Sequence, residues 1–253
     1  MNVPLIRYRG TLAYDGTAYL GFQRQAEGFP TIQAAVEQAV ASVSGQTVSV
    51  IGAGRTDTGV HAVGQVIAFD VGWKHSAEAL LRAINAVLPD DIALQDLKAA
   101  EAPDFHPRYD AVSRVYRYTL YESSQRNPLI RRCAWQVRPP LDGEAMAGAA
   151  ALIIGEHDFA AFGKPPQGDS TIRRVLRSEW TRQPDTSGSR WTYCIEANAF
   201  LQHMVRRIVG MMVDVGRGRM ALDDFRRIFQ SAQLAQSVTV APPQGLTLVR
   251  VVY

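Results

Sequence analysis

Val48-Ser49-Val50-Ile51-Gly52-Ala53-Gly54-Arg55-Thr56-Asp57-Thr58-Gly59-Val60-His61-Ala62-Val63-Gly64-Gln65-Val66-Ile67-Ala68-Phe69 is the stretch from which the fold is read. Val48, Val50 and Ile51 make an alternating apolar run, and Val63, Gln65, Ile67 and Phe69 make another. The segment therefore reads as two strands joined by a glycine-rich loop. Gly52, Gly54 and Gly59 allow close backbone approach, and Arg55, two places before Asp57, offers a charge partner or a phosphate contact. Two readings of the loop stand level: a displayed carboxylate, or a polar turn whose Asp caps its own backbone.

Toward the N-terminus, Tyr8, Gly10, Leu12 and Tyr14 alternate within residues 5–15, and the run breaks at Asp15-Gly16, as a strand does on entering a loop. That loop interleaves Tyr19, Phe22, Gln23, Arg24 and Gln25, which suits RNA stacking and hydrogen bonding and equally suits packing over a sheet edge. Thr31 caps a helix with Ile32, Ala35, Val36, Ala39, Val40 and Val43 on its apolar side and Gly45 at its end. Toward the C-terminus, Ser76 opens a second helix with Leu80, Leu81, Ile84, Val87 and Leu88 inward. Pro89 stops it, and residues 92–101 alternate again. The order β-α-β-β-α-β is the split arrangement of ferredoxin-like and RNA-recognition (RRM) domains, an α+β antiparallel sheet flanked by helices.

Glu101-Ala102-Pro103-Asp104 is the expected boundary, giving an N-terminal domain over 1–104 and a C-terminal domain over 105–253. Beyond it, Arg114, Tyr116, Tyr118 and Leu120 share one face of a strand. Asp142 caps a helix with Met146, Ala149, Ala150 and Ile153 inward, stopped by Gly155. Residues 172–182 and 190–199 read as strands around a turn at Pro184–Gly188. A helix from Gln202 carries Met204, Val205, Ile208, Met211, Met212 and Val215 on one side, with Gly216 and Gly218 past its end. That stripe reads as core. A short helix from Asp223 and a last strand, Thr247 to Tyr253, complete a half that loosely repeats the first in element order.

Of 253 residues, 47% are hydrophobic, enough for one large core or two of ordinary size. No apolar run is long enough to span a membrane, and Arg7 and Arg9 lie in a strand-like pattern near the start. Neither a membrane span nor a signal peptide is expected, and the expected compartment is cytoplasmic. Cys133 and Cys194 fall in strand-like, aromatic-rich surroundings and are expected to pack there, without a disulfide framework. His61, His106, His157 and His203 have no ligand spacing, so no metal is expected. There are 24 arginines and three lysines, and arginine is the side chain suited to bidentate phosphate contact and base stacking. Residues 1–105 hold 7 Lys+Arg against 11 Asp+Glu and residues 106–253 hold 20 against 13, so the halves carry −4 and +7. This asymmetry fits a polyanion lying mainly against the second half; a solvated basic face is the alternative.

Tyr14-Asp15-Gly16, Gly21-Phe22-Gln23-Arg24-Gln25, Gly54-Arg55-Thr56-Asp57, Gly59-Val60-His61, Tyr116-Arg117-Tyr118, His157-Asp158-Phe159 and the segment from Phe200 to Gly210 occur in an order that resembles the pseudouridine synthases of the TruA family. These enzymes isomerise uridine to pseudouridine in the anticodon stem-loop of tRNA. The resemblance implies the pseudouridine synthase fold, two α/β domains meeting at a basic cleft, and a homodimer in which one tRNA contacts both subunits. It makes Asp57 the catalytic aspartate, Tyr116 the active-site tyrosine that stacks on the base, and Arg206 the arginine that pairs with the aspartate and keeps it ionised. Arg55, Arg24, Gln25, His61 and Arg114 become expected RNA contacts. Leu246 and Leu248 resemble the apolar strand lining the base pocket, with core packing an equal alternative. Isomerisation needs no redox step or group donor, so no cofactor is implied. The sequence departs from the family pattern at Thr58, where alanine is common, and at Val115, where a basic residue precedes the tyrosine.

Two other classes compete. Asp57-Thr58-Gly59 is also the tripeptide of aspartic proteases, but that chemistry needs two carboxylates sharing a proton, no second Asp-Thr-Gly occurs, and Arg55 would oppose the shared-proton state. A non-catalytic RNA-binding protein would use the same arginines without turnover.

Overall fold

The computed structural model describes residues 3–26, 28–165, 168–234 and 239–253. The chain falls into two compact units, Met1–Val112 with Leu248–Tyr253, and Ser113–Thr247. The division comes later than residue 104, and the end of the chain goes with the first unit.

In the first unit, β1 (Leu5–Tyr14), α1 (Ile32–Ser44), β2 (Ile51–Gly52), β3 (His61–Gly72), α2 (Ala77–Asn85) and β4 (Ile92–Ala99) follow the β-α-β-β-α-β order read from the sequence. β1 pairs antiparallel with β3 on one side and β4 on the other, and β2 pairs with β3. The register of β1 on β3 sets Arg7 opposite Asp70, and the guanidinium donates to both carboxylate oxygens at 2.9 and 2.7 Å. Those bonds hold the Asp70 carboxyl below its ordinary range. The helix starts form as their caps dictate: the hydroxyl of Thr31 accepts from the Ala34 N–H, and that of Ser76 from the Ala79 N–H. Gly45 closes α1 in the left-handed region at φ 70°. Ile32, Val36, Ala39, Val40, Leu80 and Ile84 are buried as expected. Val87 is not: α2 ends at Asn85, so Val87 leaves the apolar side and is half exposed.

The second unit contains β5 (Ser113–Glu122), β6 (Trp135–Val137), α3 (Gly143–Leu152), β7 (Gly155–Asp158), β8 (Ile172–Asp185), β9 (Gly188–Ala197), α4 (Met204–Gly216) and α5 (Leu222–Gln230). β5, β9, β8 and β7 pair antiparallel in that order, and the short β6 runs parallel to the end of β5. The apolar stripe of α4 is buried throughout, and Phe159, Phe162, Phe225 and Phe229 form an aromatic core with ring centroids 5.2 to 6.1 Å apart. The last strand, β10, spans Leu246–Val252.

Cys194 lies half-buried in β9, but Cys133 is exposed in a turn before β6, contrary to the packing role expected for it. Among the described residues no helix is long and apolar enough to cross a membrane.

Candidate active site

Residues 53–60, between β2 and β3, carry Asp57. Their backbone is tied at several points. The Ala53 N–H donates to the Val66 carbonyl at 2.8 Å, and the Gln65 side-chain amide donates to the Gly54 carbonyl at 2.6 Å. The Thr56 hydroxyl bonds the Tyr14 hydroxyl at 2.8 Å, and the Thr56 carbonyl accepts from the Phe22 N–H at 3.1 Å. The Val60 N–H closes onto the Asp57 carbonyl at 3.1 Å. Two glycines make the fit possible: a Cβ on Gly16 would sit 2.1 Å from the Val60 carbonyl oxygen, and one on Gly21, at φ 91°, would sit 2.7 Å from that of Thr56. Thr56 and Val60 are buried while Asp57 between them stays partly exposed, so the loop is anchored at its neighbours and presents the aspartate.

His61 begins β3 and is buried. Its Nδ1 lies 3.0 Å from the Gly16 nitrogen and 3.1 Å from Asp15 Oδ1. One ring nitrogen cannot accept from the first and donate to the second. The peptide N–H is an obligatory donor, and Asp15 Oδ1 already accepts from the Thr17 N–H at 2.9 Å, so Nδ1 is the acceptor. His61 thus locks the turn after β1 onto the start of β3.

The mixed segment 19–25 divides between its two readings. Tyr19 and Phe22 are buried; the Tyr19 hydroxyl donates to Asp91 at 2.6 Å, and burial together with that carboxylate pushes its pKa well up, keeping it neutral. Gln23, Arg24 and Gln25 are exposed. An Arg24 guanidinium nitrogen lies 3.0 Å from Glu37 Oε2, yet that oxygen has no aligned hydrogen bond, so the contact is Coulombic and the arginine, 60% exposed, keeps donors for another anion. The Gln25 amide donates to the Leu20 carbonyl at 2.9 Å. Arg55 is exposed, and Leu248 is fully buried in β10.

In the second unit, Tyr116 is buried, with Phe200 edge-on to its ring at a centroid distance of 5.0 Å. Arg114, two residues earlier on β5, donates to the Asn198 carbonyl at 2.8 Å and is also buried. Both side chains therefore rest on the segment entering α4. Arg206, in the first turns of α4, donates through Nε to the Ala241 carbonyl at 2.8 Å, while its own carbonyl accepts from the Ala241 N–H at 3.0 Å. It is therefore not a simple solvated helix arginine. Tyr118 donates to the Pro242 carbonyl at 2.7 Å; burial raises its pKa steeply against the opposing pull of the Arg206 charge, so it holds its proton. Leu246 is buried at the start of β10.

Three contributors escaped the sequence reading. Gln65 and Tyr14 brace the Asp57 loop, and Gly210 lets residues 239–241 lie against α4 beside Arg206. Gln65 carried a signal: a polar side chain inside an apolar strand run, fully buried in the structure.

A braced carboxylate loop, an aromatic and arginine set on β5 and α4, and an α+β framework define the class. The chain belongs to the tRNA pseudouridine synthase family, whose pattern it matches over residues 11–110 and 149–253. It is 41% identical over 248 residues to the tRNA pseudouridine synthase A of Neisseria meningitidis serogroup C, covering 98% of this chain and 92% of that protein. The protein of the same name from Methylacidiphilum infernorum is 39% identical over 255 residues, covering 100% and 98%, and that from Geotalea uraniireducens is 41% identical over 244 residues, covering 96% and 97%. The chain is thus an isomerase of the pseudouridine synthase kind.

Proposed function

We propose that the protein converts uridine to pseudouridine in the anticodon stem-loop of tRNA, with Asp57 as the catalytic carboxylate. The observation that carries this reading is the loop of residues 53–60, whose backbone is tied on both sides of Asp57 while the aspartate itself remains accessible. An ionised carboxylate at C1′ of the target nucleotide either adds to the sugar or stabilises an oxocarbenium-like transition state as the bond to N1 breaks. The uracil then turns and rejoins through C5, and the C5 proton leaves. Tyr116, with Phe200 edge-on to its ring, stacks on the base, and its phenolate form would accept that proton to give the phenol. Arg206 is the cation of the proposed catalytic set, its guanidinium fixed through Nε on the Ala241 carbonyl. Tyr118 retains its own proton and so is not the base. Arg55 engages phosphate as the nucleotide leaves the stack, a step that costs a few kcal/mol. Arg24, Gln25 and Arg114 add RNA contacts, and Leu246 lies on the apolar side of the base pocket, while the fully buried Leu248 packs in the core. His61 serves the site by holding its loop. The working form is a cytoplasmic homodimer that receives one tRNA across both subunits and needs no cofactor.

Tritium release from C5-labelled uridine in tRNA tests the reading. Asp57→Asn is expected to abolish release, at least about 10⁴-fold, while tRNA affinity changes little. Turnover retained by that variant would refute the role of Asp57, and pseudouridine lost elsewhere than the anticodon arm in cells lacking the protein would refute the substrate site.

A further inference from the structure

We propose that the second unit carries a separate site for one unpaired nucleotide of the tRNA, in a cavity of about 260 Å³ whose lining includes Asn127, Arg131, Trp135, Gln136 and Gln244 beside apolar side chains such as Ile130. The proposal rests on the reading of the protein as a tRNA enzyme. It adds a contact made by none of the residues assigned to the isomerisation.

The cavity has the three kinds of group that recognise a nucleotide. Trp135 supplies a stacking surface held in place by its neighbours: the Tyr118 ring meets it edge-on at 6.4 Å, and the Arg217 guanidinium lies over it at 5.7 Å. Two amides supply opposite halves of a hydrogen-bonding edge. Gln136 spends its NH₂ group on the carbonyls of Ser123 and Gln125, at 3.3 and 2.6 Å, which leaves its carbonyl oxygen to accept. Asn127 spends its carbonyl oxygen on the Leu129 N–H at 3.1 Å, which leaves its NH₂ group to donate. A nucleobase edge that carries a donor beside an acceptor matches this pair; an apolar peptide side chain would leave both amides unsatisfied. Arg131 supplies a cation for the phosphate, and it is exposed.

Charge on the surrounding segment agrees. Residues 123–141 contain Arg126, Arg131, Arg132 and Arg138 and no Asp or Glu, and all four arginines are exposed. A stretch of sequence whose charged residues are all cationic favours a polyanion over a protein partner of ordinary composition. Single-stranded or looped-out nucleotides are the form in which RNA bases can enter such a cavity.

The test uses the full chain and full-length tRNA. Trp135→Leu is expected to weaken tRNA binding by roughly 5- to 100-fold, as loss of one base stack does, whereas Trp135→Phe, which keeps a ring, retains most of the affinity. Arg131→Ala is expected to reduce the slope of log affinity against log salt by about one. tRNA substituted with 4-thiouridine should crosslink to a peptide within residues 127–136 of the wild type and lose that crosslink in Trp135→Leu. Unchanged affinity, unchanged salt slope and no crosslink in this peptide would overturn the site. A change of oligomeric state in Trp135→Leu with tRNA affinity unaltered would also overturn it, assigning the cavity to contact between copies of the chain. Failure of the wild type to bind or isomerise tRNA would instead refute the parent reading, so the two failures are told apart.

Discussion

Tyr14 and Thr56 bear on how firmly Asp57 is aimed, because their 2.8 Å hydroxyl contact ties the residue immediately before it to β1. Thr56 is buried, so removing its partner leaves a hydroxyl with lost water and no replacement, a cost of about 1 kcal/mol. Tyr14→Phe keeps the ring and its packing against Phe22. It is therefore expected to lower stability in denaturant melts by about 1 kcal/mol and to lower kcat for tritium release with KM for tRNA nearly unchanged, since the loop still binds but no longer holds one geometry. A kcat equal to that of the wild type would show that the loop is held by its backbone ties alone. The glycine-rich loop between two strands was legible from its two apolar runs, although the loop alone left a displayed carboxylate and a self-capping turn level. Its supports were not, because Tyr14, Gly16 and Gly21 reach the loop across tens of residues of chain, and no local pattern records which backbone a glycine lies against.

Among the elements, α4 shows how a helix can fix an arginine from outside itself. Arg206 and Gly210 are four residues apart and so lie on one face. At Gly210 the missing side chain admits the backbone of Thr239: a Cβ there would be 1.8 Å from its carbonyl oxygen and 2.6 Å from its carbonyl carbon. Only with that approach can Ala241 exchange two hydrogen bonds with Arg206. Gly210→Ala is accordingly expected to push residues 239–241 off the helix, costing about 1–3 kcal/mol by overpacking, and to release the guanidinium. Single-turnover isomerisation should fall by at least tenfold with tRNA affinity little changed. Gly148→Ala is the control, because its Cβ would meet only the flexible end of Leu222 at 3.3 Å and should leave both readouts in place. A Gly210→Ala enzyme as fast as wild type would detach this packing from catalysis. Long elements were readable because each repeats its period several times: α1, β1 and β5 start and stop within a residue or two of the expectation, and α2 starts where its Ser76 cap sets it. β6 and β7, of three and four residues, are too short to show a period, and Val87 was misplaced because the helical spacing was carried past the last helical residue.

For the molecule as a whole, the charge asymmetry seen between sequence halves persists when the compact units are counted instead. The first unit holds 9 Lys+Arg against 12 Asp+Glu and the second 18 against 12, net −3 and +6. The sequence could show this because charge is additive along the chain. It could not show that residues 248–253 belong with the first unit, because strand pairing between distant segments leaves no local mark. The first unit is not merely less basic; several of its arginines are engaged, as Arg7 is with Asp70 and Arg82 with Glu78. If the second unit supplies most phosphate contacts, tRNA affinity should fall by on the order of 10³ between 50 and 200 mM salt for about six neutralised phosphates. Replacing Arg126 and Arg138 together by Ser, both exposed in the second unit, should then lower the salt slope by up to about two, while Arg82→Ser should leave it unchanged. Equal slopes for all three proteins would mean that the positive charge of the second unit is a solvated surface and that tRNA is held through contacts other than these arginines.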